Sequence, residues 1–400
     1  MNRRSIMPII PCPGFKAAGV AAGIKKNGRK DLGLIVCDVP AGVAGVFTRN
    51  RVQAAPVQLD RERIGIGVCR AVIVNSGNAN CCTGSEGYRN AVRMARAAAT
   101  ELGVSEEQVL VASTGVIGEP LPVECIEQAL PALLASLSPE GVADFAEAIM
   151  TTDRVPKVVS RQVAIGGERV TLTGVVKGAG MIRPDVATML CFLMTDARLP
   201  SGLLQDTLAA GADRSFNRVT VDGDTSTNDT ILLLASGRSG VGVDSPAARA
   251  VFQGILDEVM LGLAKWVVKD AEGSNKLVEI RVSGAVSDSD ARRIADTIAH
   301  SPLVKTALFG EDANWGRILA AAGRAGAALD PDGVDIFIGP VQMASKGIGC
   351  GKEAETAATR VLKTDEFSLT VDLHLGTGRA TVYTCDLSID YVKINADYRS

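Results

Sequence analysis

One stretch limits the fold of this chain more than any other. Thr171 to Ala197 reads TLTGVVKGAGMIRPDVATMLCFLMTDA, two apolar runs around a loop of glycine, proline and small residues. Runs this short and this rich in valine and leucine, bounded by loop residues, read as buried strands. The loop ends at Pro184-Asp185-Val186-Ala187-Thr188, and Met189 to Met194 continues apolar. A threonine therefore stands where a tight loop enters a buried strand. An exposed loop tip can be nicked. A cut just before Thr188 would leave a hydroxyl nucleophile and an amine base on one residue, the arrangement that activates a threonine.

The frame around this stretch is long enough for a sizeable core, at 400 residues. Hydrophobic residues make up 46% and charged residues 22%, ordinary globular values. A net charge of −3 gives no reason to expect nucleic acid or an anionic membrane as partner. No apolar run reaches the roughly 18 residues of a membrane span. The start, MNRRSIMPIIPCPGF, is basic, but prolines break its apolar run, so it does not read as a signal peptide. Nine scattered cysteines form no CxxC pair. An odd number without spacing argues against a disulfide framework or a zinc knuckle, and a reducing cytoplasm is expected. The two histidines, His300 and His374, lie in no suggestive motif, so catalysis without histidine is expected. His300 ends a helix, where a cation would suit the dipole.

Along the chain, 33–38 and 43–48 read as two short strands around a Pro-Ala-Gly turn, and 71–75 as a third. The third runs into a polar, glycine-bearing loop at 76–84. A helix over 88–102 stops at Gly103. The strand at 109–112 breaks into Ser113-Thr114-Gly115, where backbone N–H groups can face an anion or an oxyanion, or simply make a turn. Thr151-Thr152-Asp153 reads as a polar connection. Residues 158–165 and 170–176 form a hairpin around Gly166-Gly167. In 217–230, Asp222, Asp224 and Asp229 lack the spacing of a calcium loop, and a hydrogen-bonded turn is the better reading than a metal site. Ser245-Pro246 opens a long amphipathic helix. Strands follow at 278–282, 334–338, 368–374 and 380–385, with a helix at 291–300 and an alanine-rich one to Leu329. The alternation predicts an α/β protein of layered sheets and helices.

Six motifs then carry a resemblance: NSGNANCCTG (75–84), STGVIGEPLP (113–122), KGAGMIRPDVATML (177–190), VDGDTSTND (221–229), NWGRI (314–318) and YVKINADYRS (391–400). Together, in this order, they resemble the ornithine acetyltransferase family, the glutamate N-acetyltransferases of arginine biosynthesis. The resemblance implies self-cleavage between Ala187 and Thr188. It also implies an α chain (1–187) and a β chain (188–400) that stay together as two α and two β chains. Thr188 would be the nucleophile that carries the acetyl group, and Thr114 and Gly115 the oxyanion hole. Thr151, Lys177, Thr188, Glu272, Asn395 and Ser400 would bind substrate. No metal or cofactor is implied; acetyl-CoA as a co-substrate stays open. Ala179, Asp185-Val186 and Cys81 depart from the commonest family pattern without removing a proposed catalytic group.

The chemistry follows from the groups. Moving acetyl between amines has a poor leaving group, and a covalent acetyl-threonine splits it into two easier steps. Two rivals share these residues. In a self-processing hydrolase or aminopeptidase, water resolves the acyl-enzyme. A binding protein on the same fold would never be cut.

Overall fold

The apolar run after the loop becomes a strand buried along its whole length, and the larger of two sheets is built around it. In the computed structural model, which describes residues 8–183 and 189–397, that sheet has eight strands. They are β1 (Phe15–Val20), β2 (Leu32–Phe47), β3 (Val68–Asn78), β4 (Val109–Val116), β5 (Lys157–Ile165), β6 (Glu168–Lys177), β7 (Leu190–Thr195) and β8 (Thr230–Ala235). The order is β4-β3-β2-β8-β7-β6-β5, with β1 added beside β2. The β3–β4 and β7–β8 pairs are parallel; the others are antiparallel.

A strand apolar at every position must be covered on both faces. Along β7, Leu190, Phe192 and Met194 enter one apolar layer, where Phe192 meets Phe145 edge-on at 5.4 Å. Cys191 and Leu193 enter the opposite layer, beneath the helices Ser201–Arg214 and Pro246–Lys269. The period of two that separates successive side chains thus serves two layers at once. A third apolar cluster joins β3 and β4 to the helices Gly84–Leu102 and Val123–Ala135.

The second sheet has six strands: β9 (Leu277–Ala285), β10 (Asp335–Ile338), β11 (Val341–Ser345), β12 (Ile348–Gly349), β13 (Glu366–Asp372) and β14 (Gly378–Cys385). Their order is β12-β11-β10-β13-β9-β14. The helices Asp288–Ala299, Pro302–Phe309, Trp315–Gly323 and Lys352–Leu362 share its apolar core. The layered α/β architecture agrees with the sequence reading.

Several details differ. The two short strands expected over 33–48 are one strand, with a register shift between Val36 and Ala41 where Pro40 cannot donate to the ladder. The alanine-rich helix ends at Gly323 rather than Leu329. His300 does end its helix, but its ring is partly buried rather than free in solvent. Its Nε2 meets Thr220 Oγ1 at 2.9 Å, its Nδ1 meets the Asp296 carbonyl at 2.6 Å, and burial pushes its pKa below the ordinary value. Ser245 does cap the long helix, accepting from the Ala248 N–H. Among the described residues, no helix is long and apolar enough to cross a membrane.

The expected boundary at 187/188 does not separate the sheets. β7 and β8 come from residues 188–400, yet they lie between β2 and β6 from residues 1–187.

Candidate active site

The C-terminal ends of β4 and β6 come within hydrogen-bond reach of each other. β3 and β4 run in parallel register, with Ser76 opposite Thr114 and Gly77 opposite Gly115. The backbones come unusually close there. Gly115 has a φ of +135°, and a Cβ on it would lie 2.3 Å from the Gly77 carbonyl carbon. Only glycine permits this approach.

Lys177, the last residue of β6, is buried and reaches toward the same point. Its Nζ donates to Thr151 Oγ1 at 2.6 Å and to Thr114 Oγ1 at 3.2 Å. A hydroxyl that accepts from an ammonium must turn its own proton elsewhere. Thr114 is therefore set up as a donor into the pocket. Burial lowers the pKa of Lys177, and the Lys157 charge adds to that against the pull of Asp153.

Asp153 anchors this corner. Burial alone would raise its pKa, but Lys157 and Lys177 outweigh that and hold it below the carboxylate range. It accepts from Lys157 Nζ at 2.6 Å and from the Gly178 N–H at 2.7 Å, and lies 3.9 Å from Lys177 Nζ. Lys157 also reaches Asp270 at 2.6 Å. The pairs form one network, so each charge buried here is compensated.

Glu272 follows the long helix in the turn after Lys269. Its N–H donates to the Ala179 carbonyl at 2.9 Å, which ties the loop after β6 to that turn. A Cβ on Gly180 would lie 2.6 Å from Glu272 Oε2, so a side chain there would push the carboxylate aside. The same Oε2 accepts from Asn395 Nδ2 at 2.8 Å. Asn395 stands on a C-terminal helix, Ile389–Asp397, that was not among the expected elements.

Thr114, Gly115, Thr151, Lys177, Glu272 and Asn395 thus line one open pocket of about 630 Å³, together with Ser226, Thr227 and Asn228. Six residues expected from the resemblance meet there. The remaining expected positions, Ala187, Thr188 and Ser400, lie outside the described residues. The chain on either side of 184–188 is fixed by two aspartates from the 217–230 loop. Asp222 accepts from the Met181 N–H at 2.6 Å and the Ile182 N–H at 2.9 Å. Asp229 accepts from the Met189 N–H at 3.1 Å. Burial raises the pKa of both, and Asp229 Oδ2 is buried with no hydrogen-bond partner among the described residues.

The sequence reading did not place Asp153 or Asn228 in this site, and for the acidic loop with Asp229 it left a structural role beside the site open. Asn228 donates to the Ala79 and Ser113 carbonyls at 2.7 and 2.8 Å and fastens its loop to the end of β4. The reading of 217–230 as a hydrogen-bonded turn fits these contacts. No cluster of three metal-ligating side chains occurs among the described residues.

The arrangement offers a donor hydroxyl and a left-handed glycine at a strand end, a buried cation, and a carboxylate across the pocket. Such a set suits a zwitterionic substrate and a developing oxyanion. Comparison with known proteins points the same way. The arginine biosynthesis bifunctional protein ArgJ of Geobacter sulfurreducens is 53% identical over 389 residues, 97% of this chain and 99% of its own length. Its counterpart in Rhizobium meliloti is 48% identical over 97% of this chain and 95% of its own length. The crystal structure of arginine biosynthesis bifunctional protein argJ from Bacillus halodurans is 41% identical with a TM-score of 0.50. It covers 52% of this chain and 98% of that solved chain. Residues 16–400 match the sequence pattern of the ArgJ family end to end, and this chain belongs to that family.

Proposed function

We propose that the protein is an acyltransferase of arginine biosynthesis, moving acetyl from N2-acetyl-L-ornithine to L-glutamate through an acetyl-Thr188 intermediate. The chain first cuts itself between Ala187 and Thr188. The observation that carries this reading is the convergence of Thr114, Gly115, Thr151, Lys177, Glu272 and Asn395 on one pocket. They come from segments as far apart as residues 114 and 395, and Gly180 and Met181, shortly before the 184–188 segment, line the same pocket.

The Thr188 hydroxyl attacks the acetyl carbonyl, and the free amine of Thr188 takes the hydroxyl proton. The Thr114 hydroxyl and the Gly115 N–H hold the oxyanion. Collapse expels ornithine, whose amine leaves with the proton. The glutamate amine then attacks the acetyl-threonine, and N-acetylglutamate departs. Lys177, with Thr151, meets a substrate carboxylate. Glu272, held by Asn395, meets a substrate ammonium, and Ser400 closes the site. Acetyl-CoA serves as a second acetyl donor, and no metal or prosthetic group takes part.

A cut at this position leaves fragments of 187 and 213 residues, the second about 53% of the 400. The solved relative that is covered almost fully while matching about half of this chain fits such a division. The fragments stay together because β7 is hydrogen-bonded to β6 and β8 to β2, each ladder joining one fragment to the other. Two α and two β chains form the working particle, in the cytoplasm.

Intact mass under denaturing conditions tests the cut. Fragments ending at Ala187 and starting at Thr188, with an uncut T188A chain, are expected. A single chain in both proteins would remove the base and with it the mechanism. An assay with and without glutamate separates transfer from hydrolysis: acetylornithine consumed equally fast without glutamate would make water the acceptor.

A further inference from the structure

A second and larger cleft, of about 1440 Å³, opens beside the active-site pocket and is dominated by arginine. Arg49, Arg183, Arg292, Arg293 and Arg324 line it, with His300. Three carboxylates also face it, Asp213, Asp222 and Asp296. Two of these are already paired: Asp213 with Arg218, and Asp296 with Arg292. Asp222 spends its oxygens on the Met181 and Ile182 N–H groups and the Tyr391 hydroxyl. Arg293 pairs with Asp290. Among the described residues, Arg183 and Arg324 have no carboxylate partner, and Arg324 makes only a 3.4 Å bond to the Thr297 carbonyl. The cleft therefore holds a surplus of guanidinium, the group whose planar fork matches phosphate.

The two pockets share a wall. Met181 lines the active-site pocket and Arg183 lines the arginine cleft. Two residues of chain span at most about 7 Å. A ligand that reached from one pocket into the other would put phosphates among the arginines and its far end beside Lys177 and Thr114. The acetyl–amino acid substrates carry no phosphate and leave this cleft unused.

We propose that the arginine cleft binds the phosphorylated nucleotide end of acetyl-CoA, and so serves the acetyl-CoA-dependent half-reaction alone. This rests on the reading that Thr188 carries the acetyl group. In that half-reaction the Thr188 oxygen forms a bond to the acetyl carbon and the carbon–sulfur bond breaks. The departing sulfur takes the proton that the Thr188 amine received, giving the free thiol of CoA. Glutamate then accepts the acetyl group as before. The site needs no glycine-rich phosphate loop, which the sequence lacks, because side-chain guanidinium groups replace the backbone donors of such a loop.

The double variant Arg183→Gln, Arg324→Gln separates the two half-reactions. Its KM for acetyl-CoA should rise roughly tenfold to a hundredfold, as losing charged hydrogen bonds does. Its transfer from acetylornithine to glutamate should stay within about twofold, which also shows that the variant folds. Transfer from the acetyl thioester of N-acetylcysteamine, which lacks the nucleotide, should likewise be unchanged. The free bisphosphorylated adenosine of CoA should compete with acetyl-CoA in the wild type and not with acetylornithine. An unchanged KM for acetyl-CoA, or an equal loss with the short thioester, would overturn the proposal. Inorganic phosphate competing as well as the nucleotide would overturn the assignment to CoA. So would a wild type that uses acetylornithine but not acetyl-CoA. A wild type inactive with acetylornithine would instead sink the transfer mechanism itself.

Discussion

The two sheets are built to different standards. The six-stranded unit has an apolar core of valine, isoleucine, leucine and alanine from β9 to β14 and four helices. The eight-stranded sheet buries charge. Asp153, Lys157, Lys177 and Asp229 lie at or near its strand ends and Asp60 on a helix packed against β4, whereas the six-stranded unit buries one such charge on its helices, Lys305. Buried charges add little net stability even when paired, and removing one partner is costly. The larger sheet carries the strained glycine, the hydroxyl and the cation at its strand ends. Glu272 and the Asn395 helix form a rim beside it, next to Ala271 and Tyr391 of the larger sheet's apolar cluster. The pocket is lined by no residue of the six-stranded sheet or its four helices, so chemistry sits with the larger sheet.

That contrast can be broken at several points. The largest effect is expected for T188A: an uncut chain and transfer slowed roughly 10⁴-fold or more, as losing a nucleophile does. Residual transfer near the wild-type rate would move the nucleophile elsewhere in the pocket. Next, Thr114→Val removes the hydroxyl donor at nearly the same volume. It should lower kcat by about 10²–10³ with a smaller change in KM. An effect on KM alone would make Thr114 a binding residue.

The sharpest comparison pairs two substitutions of similar cost. Asp153→Asn leaves Lys157 and Lys177 under-compensated and should cost about 3 kcal/mol. Leu369→Ala, fully buried in β13, should also cost about 3 kcal/mol through its cavity. Urea unfolding of both in the uncut T188A chain measures this. In the self-cut protein, only Asp153→Asn should lose activity, because only it releases Lys177 from its place against Thr151 and Thr114. Equal losses of activity would erase the division between the sheets. A smaller effect, roughly a tenfold rise in KM, is expected for Asn395→Ala, which frees the Glu272 carboxylate from its orienting donor.

The smallest effect concerns His300. Its folded pKa is lowered, so the unfolded chain takes a proton near the ordinary value of 6.5 while the folded one resists. Stability should therefore fall as pH falls below 6.5 and level off below the folded value. Unfolding of the T188A chain between pH 5 and 7, with and without His300→Gln, measures that slope. A slope that the substitution leaves intact would assign it to other groups.

Legibility in the sequence followed the range of the interaction. The β5–β6 hairpin was readable because two alternating runs meet at Gly166-Gly167, a local signal. The long helix was readable from Ser245-Pro246 and its apolar spacing. The helix Lys352–Leu362 was not, because it buries only Ala358 and Leu362 and its surface is charged. Among site residues, Thr151 and Glu272 entered only through the family resemblance, while Asn228 and Asp229 lay in one of the six motifs, whose local sequence does not show their contacts. Asp153 was missed because Thr-Thr-Asp is an ordinary polar connection until Lys157, Lys177 and the Gly178 N–H are folded around it. The helix end at His300 was readable because it is local, but its contact with Thr220 and its burial were not.

The place of β7 in the middle of its sheet has one more consequence. Before the cut, threading that strand between β6 and β8 is part of a unimolecular folding reaction. After the cut, the same strand begins a separate chain, and unfolding releases two molecules that must find each other again. Reassembly then depends on concentration, and thermal transitions of the cut protein should depend on scan rate while those of the uncut chain need not. The lifetime of the working enzyme is then set by how fast that central strand escapes.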